Sequence, residues 1–586
     1  MKKMKSRLLC GALTAILAAG MLAGCGKSGS QPSAGSDAAP EASGSAAQEA
    51  VQDKNEDVVQ ETTEAAGERT VVVGISGDPV TFVPWNPNTD GRKNILFSIY
   101  QQLAPTAINP ETGKFEADYV LMSGYDHEPG TMEYTIHIRD GIKDSLGNTI
   151  NANDVKFSYE QAAASGYNNN AASVSEYEVV DDLTIKFKFD KVLAVGAFDD
   201  IISDVFVVSQ ASYEASPDGM ATMPIGSSGY VLTDYQPGVS ATIEKGDFEY
   251  WNEAANISRS GEDGFSRLYD TTNVDKVVFN FITEASTMAV ALENGEIDVA
   301  NTISDADAVL FREGGAESED FNAWTFASDC LSVVPNCSEK SPMSNINLRK
   351  ALFYSFDNAS IMYSLNGADG KICYSWDTPA RADYNPKYET EDYFGYNVDT
   401  AKEYLNKYFE ESGTSASDLH LVILCSNQGS QQKAAQLVQN YFCEMVGSDN
   451  AMEVLCVDDS ILKSTWGDET AFDVVLDAEA TETVYSSNTW RKSALASAQA
   501  NGMAMFFNAD PKVQELLIPA CDEATHNQET CDAFNDYMIE QAYRKCIGYG
   551  VTYRVAADWV GQIYKGPKSS IAITGMSFDW AAKEQK

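Results

Sequence analysis

The chain has 586 residues and a formal net charge of −45 at pH 7, because 86 Asp and Glu side chains outnumber 41 Lys and Arg. So acidic a balance argues against nucleic-acid binding and against a surface that lies flat on anionic lipid. Residues 70–586 exceed the length that one hydrophobic core usually spans, so two or three domains are expected there.

The N-terminus has the features of an export leader that ends at a lipid attachment site. Four basic side chains precede residues 8–22, an apolar stretch too short to stay as a membrane helix. Residues 22–25 are Leu-Ala-Gly-Cys, a lipobox, in which the Cys25 thiol takes a diacylglyceryl group before the leader is removed. The alternative is an ordinary secretory signal with a chance cysteine. We predict a signal peptide over residues 1–24 and a lipid anchor at Cys25 that holds the protein on the outer, extracellular or periplasmic, face of the cell membrane.

The segment after Cys25 is predicted to be a tether. Residues 26–69 consist mainly of small and polar residues with almost no large apolar side chain. Such a segment cannot bury enough apolar surface to offset the entropy of ordering, so it should be disordered. As a flexible coil it would span roughly 35–40 Å. We interpret residues 25–69 as the lipidated cysteine followed by an acidic tether.

Nine cysteines remain after Cys10 and Cys25, and all of them lie in the second half of the chain. An odd number outside the cell leaves at least one thiol unpaired in a monomer. Cys330 and Cys337 flank a short loop that contains a proline, and they are the favoured pair for a disulfide, although spacing does not determine connectivity. Because Cys-x-x-Cys motifs are absent and the four His are scattered, no metal site is predicted.

The first part of the body alternates between strand and helix patterns. Residues 70–75 are predicted as a strand, followed by a loop over 77–87 that contains three prolines and two aromatic residues. A helix is predicted over 94–103. Alternating apolar and polar residues predict half-buried strands over 132–138 and within 179–189.

The second half has the pattern of a parallel sheet. Residues 419–424, 453–457 and 472–476 are predicted strands, and Ser430 could cap a helix whose apolar residues recur at 3.6-residue spacing. Strands separated by helices favour parallel pairing. Ligands of such sheets bind beyond the carboxyl ends of the strands, which points to residues 476–485.

Five segments in chain order carry a specific resemblance. They are Ala-Asn-Asp-Val-Lys-Phe-Ser-Tyr at 152–159, Pro-Ile-Gly-Ser-Ser-Gly-Tyr at 224–230, Gly-Glu-Ile-Asp at 295–298, Arg-Lys-Ala-Leu at 349–352 and Ala-Lys at 401–402. Together they resemble the family 5 extracellular solute-binding proteins, the oligopeptide- and dipeptide-binding components of ABC importers. The match covers nearly the whole of residues 70–586 in the right order.

This resemblance implies an α/β fold of the periplasmic-binding-protein type. Two lobes would enclose a hinged cleft (type II), with an extra small α+β subdomain in the first lobe. Lobe I is placed at residues 70–318 and 554–586, with the subdomain at about 107–221, and lobe II at 319–553. The chain would cross between the lobes near residues 318 and 553, and the lobes would close around bound solute.

The resemblance also indicates candidate binding residues. Peptide-binding members have a Trp-x-Ala-Asp-Tyr segment whose Asp pairs with the ligand's α-ammonium group, and here that Asp position falls on Thr481, whose neutral hydroxyl cannot pair with a charge. Nearby carboxylates could substitute, or they could form a solvated loop. Aromatic residues in two loops match regions that face the cleft in the family, although tryptophans are more often core residues. The candidates are Phe82, Trp85, Tyr374, Trp376, Asp477, Glu479, Thr481, Glu482 and Tyr485.

The expected function is solute capture without catalysis. The sequence contains no Gly-x-Ser-x-Gly elbow, His-Glu-x-x-His motif, phosphate loop or Gly-x-Gly-x-x-Gly motif, so neither an enzyme nor a cofactor is predicted. The chain is expected to act as a monomer that delivers a solute, with a peptide favoured, to an ABC transporter permease. A non-peptide solute such as an oligosaccharide, or a surface sensor or adhesin on the same fold, are the alternatives.

Overall fold

The computed structural model describes residues 68–585, apart from 87–88, 110–111, 247–273, 428, 480–482, 496–505, 564–569, 572 and 574–575. Cys25, Thr481 and Glu482 lie outside the described residues, so their roles stay predictions. In the part that is described, no helix has the length and apolarity needed to cross a membrane.

The strands are short, except for two that exceed ten residues. They are β1 (Thr70–Ile75), β2 (Gln101–Gln102), β3 (Thr106–Ile108), β4 (Phe115–Ala117), β5 (Met122–Asp126), β6 (Glu133–Ile138), β7 (Glu176–Asp181), β8 (Thr184–Lys188), β9 (Phe206–Val207), β10 (Tyr230–Gln236), β11 (Ser240–Lys245), β12 (Lys276–Phe281), β13 (Val299–Ile303), β14 (Phe321–Pro335), β15 (Lys371–Ile372), β16 (Leu421–Ser426), β17 (Met452–Val457), β18 (Val474–Glu479), β19 (Lys545–Ala557), β20 (Val560–Gln562) and β21 (Ser577–Phe578).

The α-helices are distributed along the whole described chain. They are α1 (Asp90–Ile99), α2 (Ala152–Ala164), α3 (Ala197–Ser203), α4 (Gln210–Ala215), α5 (Ala285–Glu293), α6 (Asp305–Phe311), α7 (Ile346–Tyr354), α8 (Asn358–Asn366), α9 (Val398–Ser412), α10 (Gly429–Val446), α11 (Asp459–Thr465), α12 (Ser486–Ala494), α13 (Pro511–Cys521), α14 (Gln528–Glu540) and α15 (Trp580–Lys583).

One mixed sheet organises the described chain. Its order is β10-β11-β12-β1-β13-β19-β14-β18-β16-β17, and its eleventh strand, β15, pairs with β19. β1 runs parallel to β12 and β13, and β16 runs parallel to β17 and β18. A separate four-stranded sheet has the order β5-β6-β8-β7. The mixed α/β class is confirmed, as is the parallel sheet predicted for the second half.

The two long strands join the two parts of the main sheet. β14 has 15 residues and β19 has 13, and they pair antiparallel from Phe321 opposite Ala557 to Val333 opposite Lys545. On one side they continue into β13 and β1, and on the other into β18 and β16. The predicted crossing near residue 318 lies just before β14, and the one near residue 553 lies within β19. The lobe boundaries themselves stay predictions.

Burial in the four-stranded sheet follows the predicted alternation. Tyr134, Ile136 and Ile138 of β6 are buried, and His137 on the other face is partly exposed. Met132, which was predicted to share the buried face, is 45% exposed because the strand begins only at Glu133. A half-buried strand needs this period of two because successive side chains point to opposite faces. The alternation therefore identified both the strand and its buried face.

The first helix begins and ends earlier than the predicted range of 94–103. The Thr89 side chain accepts the backbone N–H of Arg92 at 3.3 Å, so that the first turn of α1 starts at Asp90. The helix ends at Ile99, and β2 follows and pairs with β9. A single polar cap sets such a boundary, and apolar spacing does not reveal it.

The predicted disulfide between Cys330 and Cys337 is wrong. All nine cysteines in the described chain are free thiols. β14 runs without a turn through Cys330 to Pro335, where a loop was expected. From Cys330 to Pro335 the strand advances roughly 16 Å, and the two residues from there to Cys337 could return at most about 7 Å, whereas bridged Cα atoms lie within about 7 Å of each other. The proline ends the strand and does not reverse it.

Candidate functional site

The acidic residues predicted to follow the last strand lie within it. β18 continues to Glu479, three residues beyond the predicted end at residue 476. Asp477 lies opposite Ser332 of β14, and Glu479 lies opposite Cys330. Because residues two apart on a strand share a face, both carboxylates point to the same side of the sheet.

A buried arginine pairs with both carboxylates. Arg544 directly precedes β19, and its Nη2 atom lies 3.0 Å from Oδ2 of Asp477 and 3.1 Å from Oε2 of Glu479. The side chains of Arg544, Asp477 and Glu479 are only 1%, 5% and 15% exposed. Charges removed from water to this degree need close partners, and here Arg544 at the start of β19 meets two carboxylates of β18, although β14 lies between these strands.

Trp376 completes the group. Its indole N–H donates a hydrogen bond to Oε2 of Glu479. The guanidinium carbon of Arg544 lies 4.2 Å from the centre of the Trp376 ring, at cation–π distance. We call Trp376, Asp477, Glu479 and Arg544 the acid–arginine cluster. The structure thus brings together three of the sequence-predicted candidates around a residue that was not predicted.

Burial and charge act in opposite directions in this cluster. Burial opposes the charge of Arg544, but Glu479 and Asp477 raise its pKa above the usual value. Burial also raises the pKa of Asp477 to about 6, although Arg544 lowers it. At pH 7 the cluster therefore holds a guanidinium that stays charged and a carboxylate close to its titration range.

The cluster has unused capacity for polar contacts. Among the described residues, nothing accepts a hydrogen bond from Nε or Nη1 of Arg544. Two carboxyl groups also lie against a single guanidinium, so the cluster has more acidic groups than basic ones. An arrangement of this kind can donate to a carboxylate or carbonyl oxygen and can attract an ammonium group.

The two aromatic candidates of the first loop contact a different set of residues. Phe82 is fully buried and packs edge-on against Tyr235, with ring centres 5.0 Å apart. Trp85 is 7% exposed, and its indole N–H donates to the hydroxyl of Tyr213 at 3.5 Å. These partners come from the first half of the chain and are typical of core packing. Their ligand roles stay predictions.

Tyr374 and Tyr485 also have partners outside the acid–arginine cluster. Tyr374 is partly buried, and burial, with smaller effects of Asp392 and Asp357, raises its pKa. Tyr485 precedes α12 and lies 5.5 Å from the His526 ring. Gly196, at φ 73°, approaches Tyr485 so closely that a Cβ there would lie 2.7 Å from the ring. The roles of both tyrosines in binding stay predictions.

One group of side chains has donor atoms close enough to hold a metal ion. In the described chain, Asp383, His526 and Cys531 place these atoms within 4.8 Å of one another. The Asp383 carboxylate accepts the backbone N–H groups of Ser486 at 2.7 Å and Ser487 at 3.0 Å, so it caps α12. Nδ1 of His526 lies 2.7 Å from the carbonyl oxygen of Ala520. These contacts favour a structural role.

Comparison with known proteins identifies the family. Residues 118–498 match the model of the bacterial extracellular solute-binding proteins, family 5. The chain belongs to this family. As a family 5 solute-binding protein of the ABC transporters it acts outside the cytoplasm, and it belongs to a group of binding proteins that are not enzymes.

Individual relatives agree with this assignment. The oligopeptide-binding protein OppA of Bacillus subtilis is 24% identical over 422 residues, which cover 66% of this chain and 71% of OppA. The crystal structure of AppA from Clostridium difficile is similar with a TM-score of 0.70 at 15% identity, over 87% of this chain and 100% of that one. A dipeptide-binding protein from Pseudoalteromonas sp. SM9913, in complex with Met-Leu, gives a TM-score of 0.65 at 18% identity, over 87% and 100%. The predicted family and the two-lobed type of fold are confirmed.

The residue missed in this family 5 protein is Arg544. A weak signal for it exists, because Arg544 and Lys545 are adjacent basic residues that lead into an apolar run in a chain poor in basic residues. Both are buried, and Lys545 donates to the carbonyl oxygens of Phe353, Phe356 and Phe394 at 2.6–3.0 Å. A basic pair that enters a buried strand therefore indicates internal acceptors, which are carboxylates for Arg544 and backbone carbonyl oxygens for Lys545.

Proposed function

We propose that this solute-binding protein captures a peptide in a cleft between two lobes and delivers it to an ABC transporter permease. The acid–arginine cluster is the observation that carries the proposal. It holds an excess of carboxylate charge together with guanidinium donors, beside the face of Trp376. A peptide presents a complementary set of an ammonium group, carbonyl oxygens and apolar side chains. The relatives named for oligopeptides and dipeptides support the same ligand class.

The ammonium group is the part of the ligand that this site would select. Thr481 occupies the position of the family's aspartate and cannot supply a charge. Asp477 and Glu479 exceed the single charge of Arg544, and Glu482 adds a further carboxylate nearby in sequence. A buried group with net negative charge stabilises a cation that enters it. We assign the ligand's α-ammonium to this acidic segment.

Contacts between the predicted lobes support closure around the ligand. Nζ of Lys114 donates to the carbonyl oxygens of Pro379 at 2.7 Å and Arg381 at 2.8 Å. The Tyr134 hydroxyl donates to Glu523 at 2.7 Å. Each contact joins residues assigned to different lobes. A ligand touched by both lobes would shift the population towards an arrangement in which these contacts are made.

The first prediction is that the natural ligand is a peptide with a free N-terminus that closes the protein. Native mass spectrometry of the purified protein would give the mass of the co-purified ligand, and a synthetic copy would then be titrated by calorimetry. Acetylating its N-terminus should weaken binding at least about tenfold, because the charge partner of the acidic segment is lost. Small-angle scattering should show a smaller radius of gyration with the free peptide.

Two comparisons make this test specific. Glu482→Gln should weaken binding of the free peptide and leave the acetylated peptide unaffected, whereas Glu453→Gln on the exposed side of β17 should change neither. A co-purified mass that corresponds to an oligosaccharide would reject the peptide ligand. An unchanged radius of gyration despite measured binding would reject closure. A protein that binds peptide without any permease partner would be a surface sensor or adhesin.

We also propose that Cys25 is acylated and holds the protein at the membrane. Two acyl chains from a diacylglyceryl group are enough for stable anchoring, whereas a single chain binds reversibly. The N-terminal peptide of the mature wild-type protein should therefore carry the lipid mass at Cys25, and Cys25→Ser should abolish both that mass and removal of the leader. An unmodified Cys25 in the membrane-bound wild-type protein would contradict acylation as the anchor.

A further inference from the structure

Two cysteines face each other on neighbouring parallel strands. β16 and β17 pair in register, and Cys425 lies directly opposite Cys456. Their Sγ atoms are 3.1 Å apart. Adjacent strands lie about 4.8 Å apart, inside the range of Cα separations that disulfides span, and an S–S bond is about 2.0 Å long. We infer that Cys425 and Cys456 form a disulfide bond in the exported protein.

The position of the pair gives the bond a structural purpose. β17 is the last strand of the main sheet and pairs only with β16 among the described strands. An edge strand held on one side is the part of a sheet most easily detached. The bond would join this strand to its neighbour and close a loop between residues 31 positions apart, which contains α10.

The two thiols differ in how a reagent can reach them. Cys425 is buried and Cys456 is partly exposed, so Cys456 is the entry point for an oxidant. A second group of thiols, Cys330, Cys373 and Cys546, is buried throughout. Access and register together therefore distinguish the Cys425–Cys456 pair from the other thiols.

The reaction is thiol–disulfide exchange with an oxidant that is itself a disulfide, either of an extracytoplasmic oxidoreductase or of a small molecule. The Cys456 thiolate attacks one sulfur of the oxidant, breaking its S–S bond and releasing a thiol. The Cys425 thiolate then attacks Sγ of Cys456 and releases the second thiol. The protein loses two electrons and two protons, and the oxidant gains them. Disulfides made in this way persist outside the reducing cytoplasm.

Mass spectrometry of the full chain tests the bond. The protein exported by a producing cell would be acid-quenched, denatured and alkylated with and without prior reduction, then digested. We expect a linked pair of peptides containing Cys425 and Cys456 in most molecules, and two additional alkylated thiols after reduction. Purified reduced protein treated with oxidised glutathione should form the same link.

Variants distinguish this pairing from general oxidation. Cys456→Ser should remove the link and leave Cys425 alkylated without reduction. Cys443→Ser, which removes a buried thiol within the same loop whose Sγ lies 3.7 Å from the carbonyl oxygens of Asp449 and Met452, should leave the link intact. Complete alkylation of Cys425 and Cys456 in the unreduced wild-type protein, or a bond from either one to another cysteine, would overturn the inference.

Discussion

Replacing Arg544 with methionine should lower the free energy of unfolding by roughly 3–5 kcal/mol, the usual cost of removing one partner from a buried ion pair. The substitution leaves Asp477 and Glu479 without their cation in a site where their side chains are 5% and 15% exposed. Burial raises the pKa of Asp477 and Arg544 lowers it, so in the variant Asp477 would take up a proton more readily and the loss of stability should grow from pH 5 to pH 8. Urea unfolding, followed by circular dichroism at pH 5 and pH 8, measures this loss in the free energy of unfolding.

Two comparisons separate this effect from a general effect of losing an arginine. Arg69 pairs with Asp275 at 2.8 Å, but the two side chains are 36% and 38% exposed, so Arg69→Met should cost less than about 1 kcal/mol. A triple variant that adds Asp477→Asn and Glu479→Gln to Arg544→Met removes the uncompensated charges and should recover most of the lost stability. Equal losses for the two arginine variants would show that the buried charges are not the cause.

A second large effect on stability is expected at Asp377, whose side chain is buried in a residue that is 2% exposed. Its Oδ1 accepts the backbone N–H of Thr378 at 2.7 Å and the hydroxyl of Ser486, while Oδ2 has no partner among the described residues. Burial, with a further effect of Asp383, raises the pKa of Asp377 to about 8. The folded protein therefore favours the protonated form.

The raised pKa of Asp377 determines how the stability of the protein depends on pH. An unfolded aspartate has a pKa of about 3.9, so between about pH 4 and 8 the folded state binds the proton more tightly and stability falls as pH rises. Asp377→Asn removes this loss. The variant should match the wild-type protein near pH 4 and exceed its stability at pH 8 by up to about 5 kcal/mol, as measured by urea unfolding across the range.

An exposed aspartate provides the control for this prediction. Hydrogen bonds from the Thr470 side chain and backbone lower the pKa of Asp468, so that its contribution is present above the ordinary pKa and is lost as pH falls. Asp468→Asn should therefore bring no gain at pH 8. A variant Asp377→Asn that is less stable than the wild-type protein at pH 8 would show that the folded protein holds this carboxylate ionised.

The sequence predicted the fold because its signals are local. β1 was predicted with both of its ends, and the strands around 132–138 and 453–457 within a residue or two, since alternation and apolar runs act over a few neighbouring residues. The same holds for the parallel pairing of β16 with β17 and β18, which follows from alternating strands and helices. Ordered family motifs then supplied the two-lobed architecture.

The acid–arginine cluster was harder to predict because the residues that form it are far apart in sequence. Arg544 and Glu479 are 65 residues apart in sequence, and they meet only because β14 lies between β18 and β19. Strand order of this kind leaves no periodic signal in the sequence. The cysteines likewise show that spacing in the sequence does not reveal which residues meet in the fold. Cys330 lies within β14 and Cys337 lies beyond its end, so extended chain separates two residues that are close in sequence, whereas strand register brings Cys425 and Cys456 together.

The central place of β1 has a mechanical consequence. β1 directly follows the N-terminal segment and lies between β12 and β13, parallel to both. A force applied to Thr70 along the strand axis would act on both neighbouring strands. The six residue pairs with β12 and those with β13 would then be loaded together in shear, and would not be peeled apart one at a time. The first strand of the described chain is thus paired on both sides, so its extraction from the sheet would require breaking its pairing with β12 and β13 together.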